Sequence, residues 1–251
     1  MEKRQPPKKP ILIIPSRMKA ARLPGKPLAD IHGEPMIVHV WRRAMESGIG
    51  HVLVACDAPE IVSAVEKAGG QAVLTKPDHP SGSDRIWEAL NKLEGNKDYD
   101  AVVNVQGDEP ALDPAIIRAG YDLLRDPAVD IGTLAAVFKN KEEISRTQAV
   151  KAVIDMEPGG KHGRAVYFSR IAVPSGDGPI YHHMGLYAYR REALAAFVAA
   201  KQSPLEKRES LEQLRALSMG LHIEVGVVDT QALGVDTPED LERVRKMLGK
   251  K

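Results

Sequence analysis

Short apolar runs of strand length alternate with segments of helical period along this chain. That alternation restricts the fold more than any other feature. The runs lie at 11–14, 51–55, 101–105, 131–137, 150–155, 184–189 and 223–227, and apolar residues predominate in them, as in buried strands. Between the first two, Ile37, Val40, Trp41 and Ala44 recur at i, i+3, i+4 and i+7, with Pro35 placed to open a helix and Gly48 to close it. Residues 59–68, 83–93 and 114–124 give further helices. Strands separated by helices call for crossover connections, so the expected class is α/β, a mostly parallel mixed sheet with helices on both faces. The runs at 150–155, 164–168 and 184–189 have little helix between them, which predicts a smaller antiparallel lobe. Near the end, Thr237-Pro238-Glu239-Asp240 is a capping-box-like start, and Leu241, Val244 and Leu248 fall on one face of the helix it opens.

The 251 residues suit one domain, expected over 10–251, and 43% of them are hydrophobic, enough for a core. Residues 1–9 are basic and Pro-rich and read as a solvated arm. A formal net charge of +1 argues against a dedicated nucleic-acid binder. No stretch approaches the ~20 apolar residues of a membrane helix, and no signal-peptide core follows the arm, so the expected setting is the cytoplasm without membrane insertion. The single cysteine, Cys56, excludes an intrachain disulfide and ends an apolar run, the place of a buried small residue.

Three loop segments carry candidate chemistry. The first, 15–26, follows the first strand, where open α/β sheets bind ligands. It brings Arg17, Lys19, Arg22 and Lys26 together, with Gly25 to let backbone approach a ligand. Several cations suit a triphosphate, whose leaving pyrophosphate gains charge during transfer. It is not a Walker loop, because Ala20 replaces the first glycine and Pro27 stands where a hydroxyl should hold the metal. On spacing alone a solvated charged turn is an equal reading. The second segment runs from a strand into Gln106-Gly107-Asp108, where a carboxylate can bind the Mg²⁺ that bridges phosphates. The third is Asp236, which Thr237, sufficient as the cap, leaves free to be a second Mg²⁺ ligand. The adjacent His182 and His183 should point to opposite faces of a strand and so cannot chelate one ion together.

Taken in order, IIPSR…RLPGKPL, GEPMIVHVWRRA, SGSDR, VNVQGDEP, AVYFSR, HHMGLYAYR, SPLEKRESLEQLR and GVDTPEDLERVR resemble the 3-deoxy-manno-octulosonate (Kdo) cytidylyltransferase family over about 11–248. The resemblance implies a GT-A-like nucleotidyltransferase fold and a Mg²⁺-dependent homodimer that makes CMP-Kdo and pyrophosphate from CTP and Kdo for lipopolysaccharide synthesis. It implies that Arg17, Arg22 and Lys26 hold the triphosphate. Ser81, Gly82 and Ser83 would lie on the nucleotide side, Ser83 replacing a more usual Thr. Gln106 and Asp108 would face the reacting phosphate, Asp108 and Asp236 would bind Mg²⁺, and Arg17, Lys26, Asp108 and Asp236 would form the catalytic set. On the sugar side it places Gln106, Arg170, His183, Tyr187, Glu212 and Gln213, within a sugar-binding and dimerisation region of about 150–225. A guanidinium can pair the Kdo carboxylate bidentately, and the other side chains supply donors and acceptors to hydroxyls. Read without the family, Glu212 and Gln213 could face solvent on a helix buried through Leu211, Leu214 and Leu217, and Tyr187 could be core. The connection IAVPSGDGPIYH between Arg170 and His183 is shorter than the family's usual one. The rival expectations are a cytidylyltransferase for another acid sugar, such as an amino-Kdo or nonulosonate, a GT-A glycosyltransferase, and a non-catalytic sugar-nucleotide binder.

Overall fold

The computed structural model describes residues 4–20, 22–230 and 233–249. The chain divides into two compact units, Lys8–Arg118 with Ala232–Lys251, and Met1–Pro7 with Ala119–Gln231.

The first unit contains β1 (Pro10–Ser16), a two-stranded hairpin of β2 (Asp30–Ile31) and β3 (Glu34–Pro35), α1 (Met36–Glu46), β4 (His51–Cys56), α2 (Pro59–Lys67), β5 (Gln71–Leu74), α3 (Gly82–Lys92), β6 (Ala101–Asn104) and the start of α4 (Pro114–Asp122). Its sheet runs β5-β4-β1-β6, all parallel, with Ile11 opposite both His51 and Val102. Ile11–Ile14 has no exposed surface because β1 lies between two strands and is covered on both faces. Pro35 precedes α1, which buries Met36, Ile37, Val38, Val40 and Ala44, and Gly48 follows it at φ 67°. The Asp84 N–H donates to Ser81 Oγ (3.2 Å) at the start of α3. The expected capping box is present: Thr237 and Asp240 start the C-terminal helix Pro238–Leu248. β5 and the β2–β3 hairpin have no counterpart among the expected elements. They are short and carry polar residues, so they form only where a neighbouring strand supplies hydrogen bonds.

The second unit contains β7 (Ile131–Val137), α5 (Lys141–Ile144), β8 (Lys151–Asp155), β9 (His162–Ser169), β10 (Tyr181–Arg190), α6 (Arg191–Ala199), α7 (Pro204–Glu209), α8 (Gln213–Ser218) and β11 (Ile223–Val228). β11 pairs with β7 in parallel, whereas β10–β7, β10–β8, β8–β9 and β9–β11 are antiparallel. Its core includes Phe168, Phe197, Leu134 and Val225. Arg215 donates to both oxygens of Glu206 (2.6 and 2.8 Å), a buried pair that locks α7 to α8. The described part of the arm is hydrogen-bonded along its length. Arg4 pairs with Asp130 (2.6 Å) and Tyr121 Oη donates to the Pro7 carbonyl (2.8 Å) in this unit, while the Lys8 and Lys9 N–H groups donate to Asp100 in the first. No helix among the described residues is long and apolar enough to cross a membrane.

Candidate active site

Beyond the carboxyl ends of β1 and β6 lies a cavity of about 450 Å³, wholly within the first unit. Gly107 makes its floor possible. A Cβ there would sit 2.5 Å from the Pro15 carbonyl oxygen, so only glycine lets the end of β6 meet the end of β1. Gly25, at φ 69°, opens one 3₁₀ turn, Lys26–Leu28, which carries Lys26 into the cavity. Asp236 arrives from the far end of the sequence because the C-terminal segment is anchored by apolar packing. Val235, Leu241 and Val244 cluster with Ile31 and Met36, and each such buried side chain is worth roughly 1.5–3 kcal/mol. The Val235 N–H also donates to the Asp108 carbonyl (2.9 Å), which fixes the two carboxylate-bearing loops to each other.

Arg17, Arg22, Lys26, Ser81, Gly82, Gln106, Asp108 and Asp236 all line this cavity, so the structure brings together eight of the nine expected nucleotide and metal residues. Ser83 is the exception: it is fully buried and does not line it. Lys26 Nζ donates to Asp108 Oδ2 (2.7 Å), Asp236 Oδ1 (3.3 Å) and the Val235 carbonyl (2.9 Å). Arg22 pairs with Asp236 Oδ2 at 2.9 Å. Arg17 forms no hydrogen bond or ion pair with a described residue and stays open to an anion. An ammonium thus bridges two carboxylates and a carbonyl, an all-oxygen set of the kind hard cations take. Among the described residues no group of three or more His, Cys, Asp or Glu could hold a metal alone. Beside Asp108, burial and then the charge of Asp108 itself push the Glu109 carboxyl up to about 8.

His79 also borders the cavity and is held by Glu88. Burial alone would raise the Glu88 carboxyl, but hydrogen bonds from Lys92, the Lys76 N–H and His79 outweigh it and hold it at about 2. A larger cavity of about 570 Å³ lies elsewhere in this unit, around Asp30, Arg42 and Arg245. Its arginines are already engaged: Arg42 with Glu34, Arg43 with Glu46, and Arg245 with Glu242 and the Asp30 carbonyl. The smaller cavity, with its open Arg17, is the better anion site.

The expected sugar-side residues, apart from Gln106, lie in the second unit. Arg170 spends three of its five N–H donors on main-chain carbonyls: Nε on Glu209 (2.8 Å), Nη1 on Thr147 (3.1 Å) and Nη2 on Ser210 (3.0 Å). Its position is rigid and two donors remain. His183 sits within 3.0 Å of Thr133 Oγ1 and edge-on to Phe168, while the neighbouring His182 packs on Phe138, so the two rings do point to opposite faces. Burial, with a smaller push from His182, pulls His183 down to about 3. Tyr187 is buried beside it, and burial first, then Tyr189 and Glu212, raise its phenol well above the usual range. Glu212 precedes α8 and is half-buried. Gln213 is buried, not facing solvent.

The family model for cytidylyltransferases matches residues 11–223. The chain belongs to the cytidylyltransferase family. This cytidylyltransferase is 59% identical to the 3-deoxy-manno-octulosonate cytidylyltransferase of Paramagnetospirillum magneticum over 239 residues, 95% of this chain and 97% of that relative. It is 57% identical to the enzyme of the same name from Rhodospirillum centenum, covering 96% and 94%. Among solved structures it is similar to CMP:2-keto-3-deoxy-manno-octonic acid synthetase complexed with CTP, with TM-score 0.87, 39% identity and coverage of 96% and 98%. The fold is therefore the α/β nucleotidyltransferase fold, with a mixed sheet and helices. Sequence reasoning gave no role to three polar residues that line the cytidylyltransferase's cavity: Ser16, His79 and Arg85. Arg85 lies inside the stretch SGSDR, but one arginine in a helical run carries no signal of burial.

Proposed function

We propose that this cytidylyltransferase transfers CMP from CTP to 3-deoxy-manno-octulosonate, giving CMP-Kdo and pyrophosphate for lipopolysaccharide synthesis. The observation that carries the reading is that Arg17, Arg22 and Lys26 share one cavity, at the carboxyl ends of a parallel sheet, with the carboxylates Asp108 and Asp236, which Arg22 and Lys26 pair. Arg17 is open to phosphate. Arg22 and Lys26 can exchange carboxylate oxygens for phosphate oxygens, and their charge offsets that which grows on the departing pyrophosphate. Ser81 and Gly82 form the nucleotide-side start of α3, with Ser83 buried behind them, and Gln106 serves both the phosphate and the sugar.

Asp108 and Asp236 would hold Mg²⁺, since the site already gathers oxygen donors around a cation. Held by these two carboxylates, Mg²⁺ would neutralise phosphate oxygens and would lower the pKa of the attacking hydroxyl. The anomeric hydroxyl of Kdo attacks the α-phosphorus in line, and positioning and charge supply most of the acceleration. The two remaining donors of Arg170 pair with the Kdo carboxylate. Glu212 serves its hydroxyls, with His183, Tyr187 and Gln213 behind as the buried support. The same reading carries a GT-A-like architecture with an antiparallel lobe, a homodimer and a cytoplasmic setting.

The test is pyrophosphate release over four nucleoside triphosphates and a panel of acid sugars, with and without Mg²⁺. The expected result is release with CTP and Kdo, dependent on Mg²⁺ and lost in folded Asp108→Asn and Asp236→Asn. Release with a different acid sugar and none with Kdo would overturn the substrate. Near-wild-type rates in either variant at limiting Mg²⁺ would remove that residue from the metal site.

A further inference from the structure

The Arg170 guanidinium carries no compensating acid. It donates only to the carbonyls of Glu209, Thr147 and Ser210, and among the described residues no carboxylate bonds or pairs with it. A guanidinium and a carboxylate ordinarily make the stronger, charge-assisted contact. A carboxylate is at hand in Glu209, but it is spent elsewhere. Its Oε2 accepts the Arg170 main-chain N–H (3.1 Å) and its Oε1 the hydroxyl of the buried Ser169 (3.1 Å). That hydroxyl in turn accepts the Ile171 N–H (3.3 Å). Burial first, then the charge and a hydrogen bond of Glu209, raise the Tyr167 phenol. Glu209 therefore grips the end of β9 with its side chain while its own carbonyl fixes Arg170 Nε at 2.8 Å. The next residue, Ser210, ends α7 in the left-handed region, at φ 54° and ψ 47°, which is disfavoured for a residue with a side chain. Its carbonyl receives Arg170 Nη2. The buried Lys151 ammonium donates to the Arg170 carbonyl (2.9 Å). Main chain and guanidinium are both held, and the positive charge is left unneutralised.

We propose that Glu209 is a positioning residue of the acid-sugar site: it places the Arg170 guanidinium and, by spending its carboxylate on a main-chain N–H and a hydroxyl, leaves that guanidinium free for the sugar carboxylate. The inference rests on the reading that Arg170 pairs with the Kdo carboxylate. Glu209 then acts on the sugar in two opposed ways. Its negative charge repels an anionic sugar, and its hydrogen bonds hold the group that binds it. Glu209 is half-buried, so solvent screens the repulsion and keeps it small. Misplacing a binding group by about 1 Å can cost on the order of a hundredfold. Positioning outweighs charge, and removing the carboxylate weakens sugar binding although it also removes a like charge. Were Glu209 only a nearby charge, the sign would reverse.

The test measures pyrophosphate release against Kdo and against CTP for the wild type, Arg170→Ala, and Glu209→Ala and Glu209→Gln, each alone and combined with Arg170→Ala, with thermal unfolding of each. The expected result is a rise of roughly tenfold or more in the Kdo KM of Glu209→Ala. The kcat at saturating Kdo and the CTP KM change little, as when binding common to ground and transition states is lost. Glu209→Gln keeps one acceptor but turns a donor towards a donor, so it falls between and carries the comparison if the Ala variant does not fold. In the Arg170→Ala background neither Glu209 substitution raises the Kdo KM further, because a positioning residue acts only through the group it places. Equal losses in both backgrounds would overturn the proposal. So would an unchanged or lowered Kdo KM in a folded Glu209 variant. A loss that moves CTP KM and kcat alike, with a lower melting temperature, would assign Glu209 to the scaffold. Wild-type Kdo kinetics in Arg170→Ala would instead sink the place of Arg170 in the proposed function, a separate failure.

Discussion

Replacing Lys26 with Met should tighten divalent-cation binding to the nucleotide-free protein while slowing turnover. The ammonium lies 2.7 Å from Asp108 Oδ2 and 3.3 Å from Asp236 Oδ1, where those carboxylates would hold a metal. The Lys26 side chain is 16% exposed, but the two Asp side chains are 32% and 50% exposed, so solvent screens both contacts. Each is then worth about 1 kcal/mol, not the several that a dry interior would give. An entering cation must displace both, so their removal is worth roughly 2 kcal/mol, or about thirtyfold in affinity. In the proposed mechanism Lys26 grips the leaving pyrophosphate, so Lys26→Met should cost roughly a hundredfold in kcat. Titration with Mn²⁺ followed by electron paramagnetic resonance, without nucleotide, reads the affinity directly. Mn²⁺ affinity in Lys26→Met equal to or weaker than that of the wild type would refute the reasoning. Asp236→Asn serves as the control and should bind Mn²⁺ more weakly.

Gly107→Ala should be destabilised by roughly 1–3 kcal/mol and bind CTP less well, because its Cβ would meet the Pro15 carbonyl oxygen at 2.5 Å and must push backbone aside. An unchanged melting temperature and CTP KM would show that the two strand ends separate freely. His183 should make the fold acid-sensitive. Its native pKa of about 3 lies below the unfolded value of ~6.5, so the unfolded chain binds the proton first. The His183 contribution is present above pH ~6.5 and is lost as pH falls towards 3. Between pH 7 and 5 that is roughly 2 kcal/mol, read as a drop in the urea midpoint that should shrink in His183→Phe. An identical pH slope in that variant would place the sensitivity elsewhere.

The first unit was largely legible because its signals are local. An unbroken Ile11–Ile14 run reads as a central strand, the Pro35 to Gly48 punctuation frames α1, and Thr237 to Asp240 announces the C-terminal helix. The second unit was less so. α6 to α8 are only six to nine residues long, too short to show a clear helical period, and are held by tertiary contacts such as Arg215 with Glu206. The parallel pairing of β11 with β7 joins strands some ninety positions apart, which no local pattern encodes. The site divides in the same way. The sequence by itself determined its chemical inventory, cations after the first strand and carboxylates at two other loop ends, and its motifs pointed to the family. Only the tertiary structure decided that Lys26 stands between Asp108 and Asp236, that Ser83 is buried and does not line the cavity, and that Arg85, itself buried, does. Charge and residue type are properties of the chain. Burial and pairing are set by neighbours brought together through packing, as Val235, Leu241 and Val244 bring Asp236 to a lysine 210 positions away.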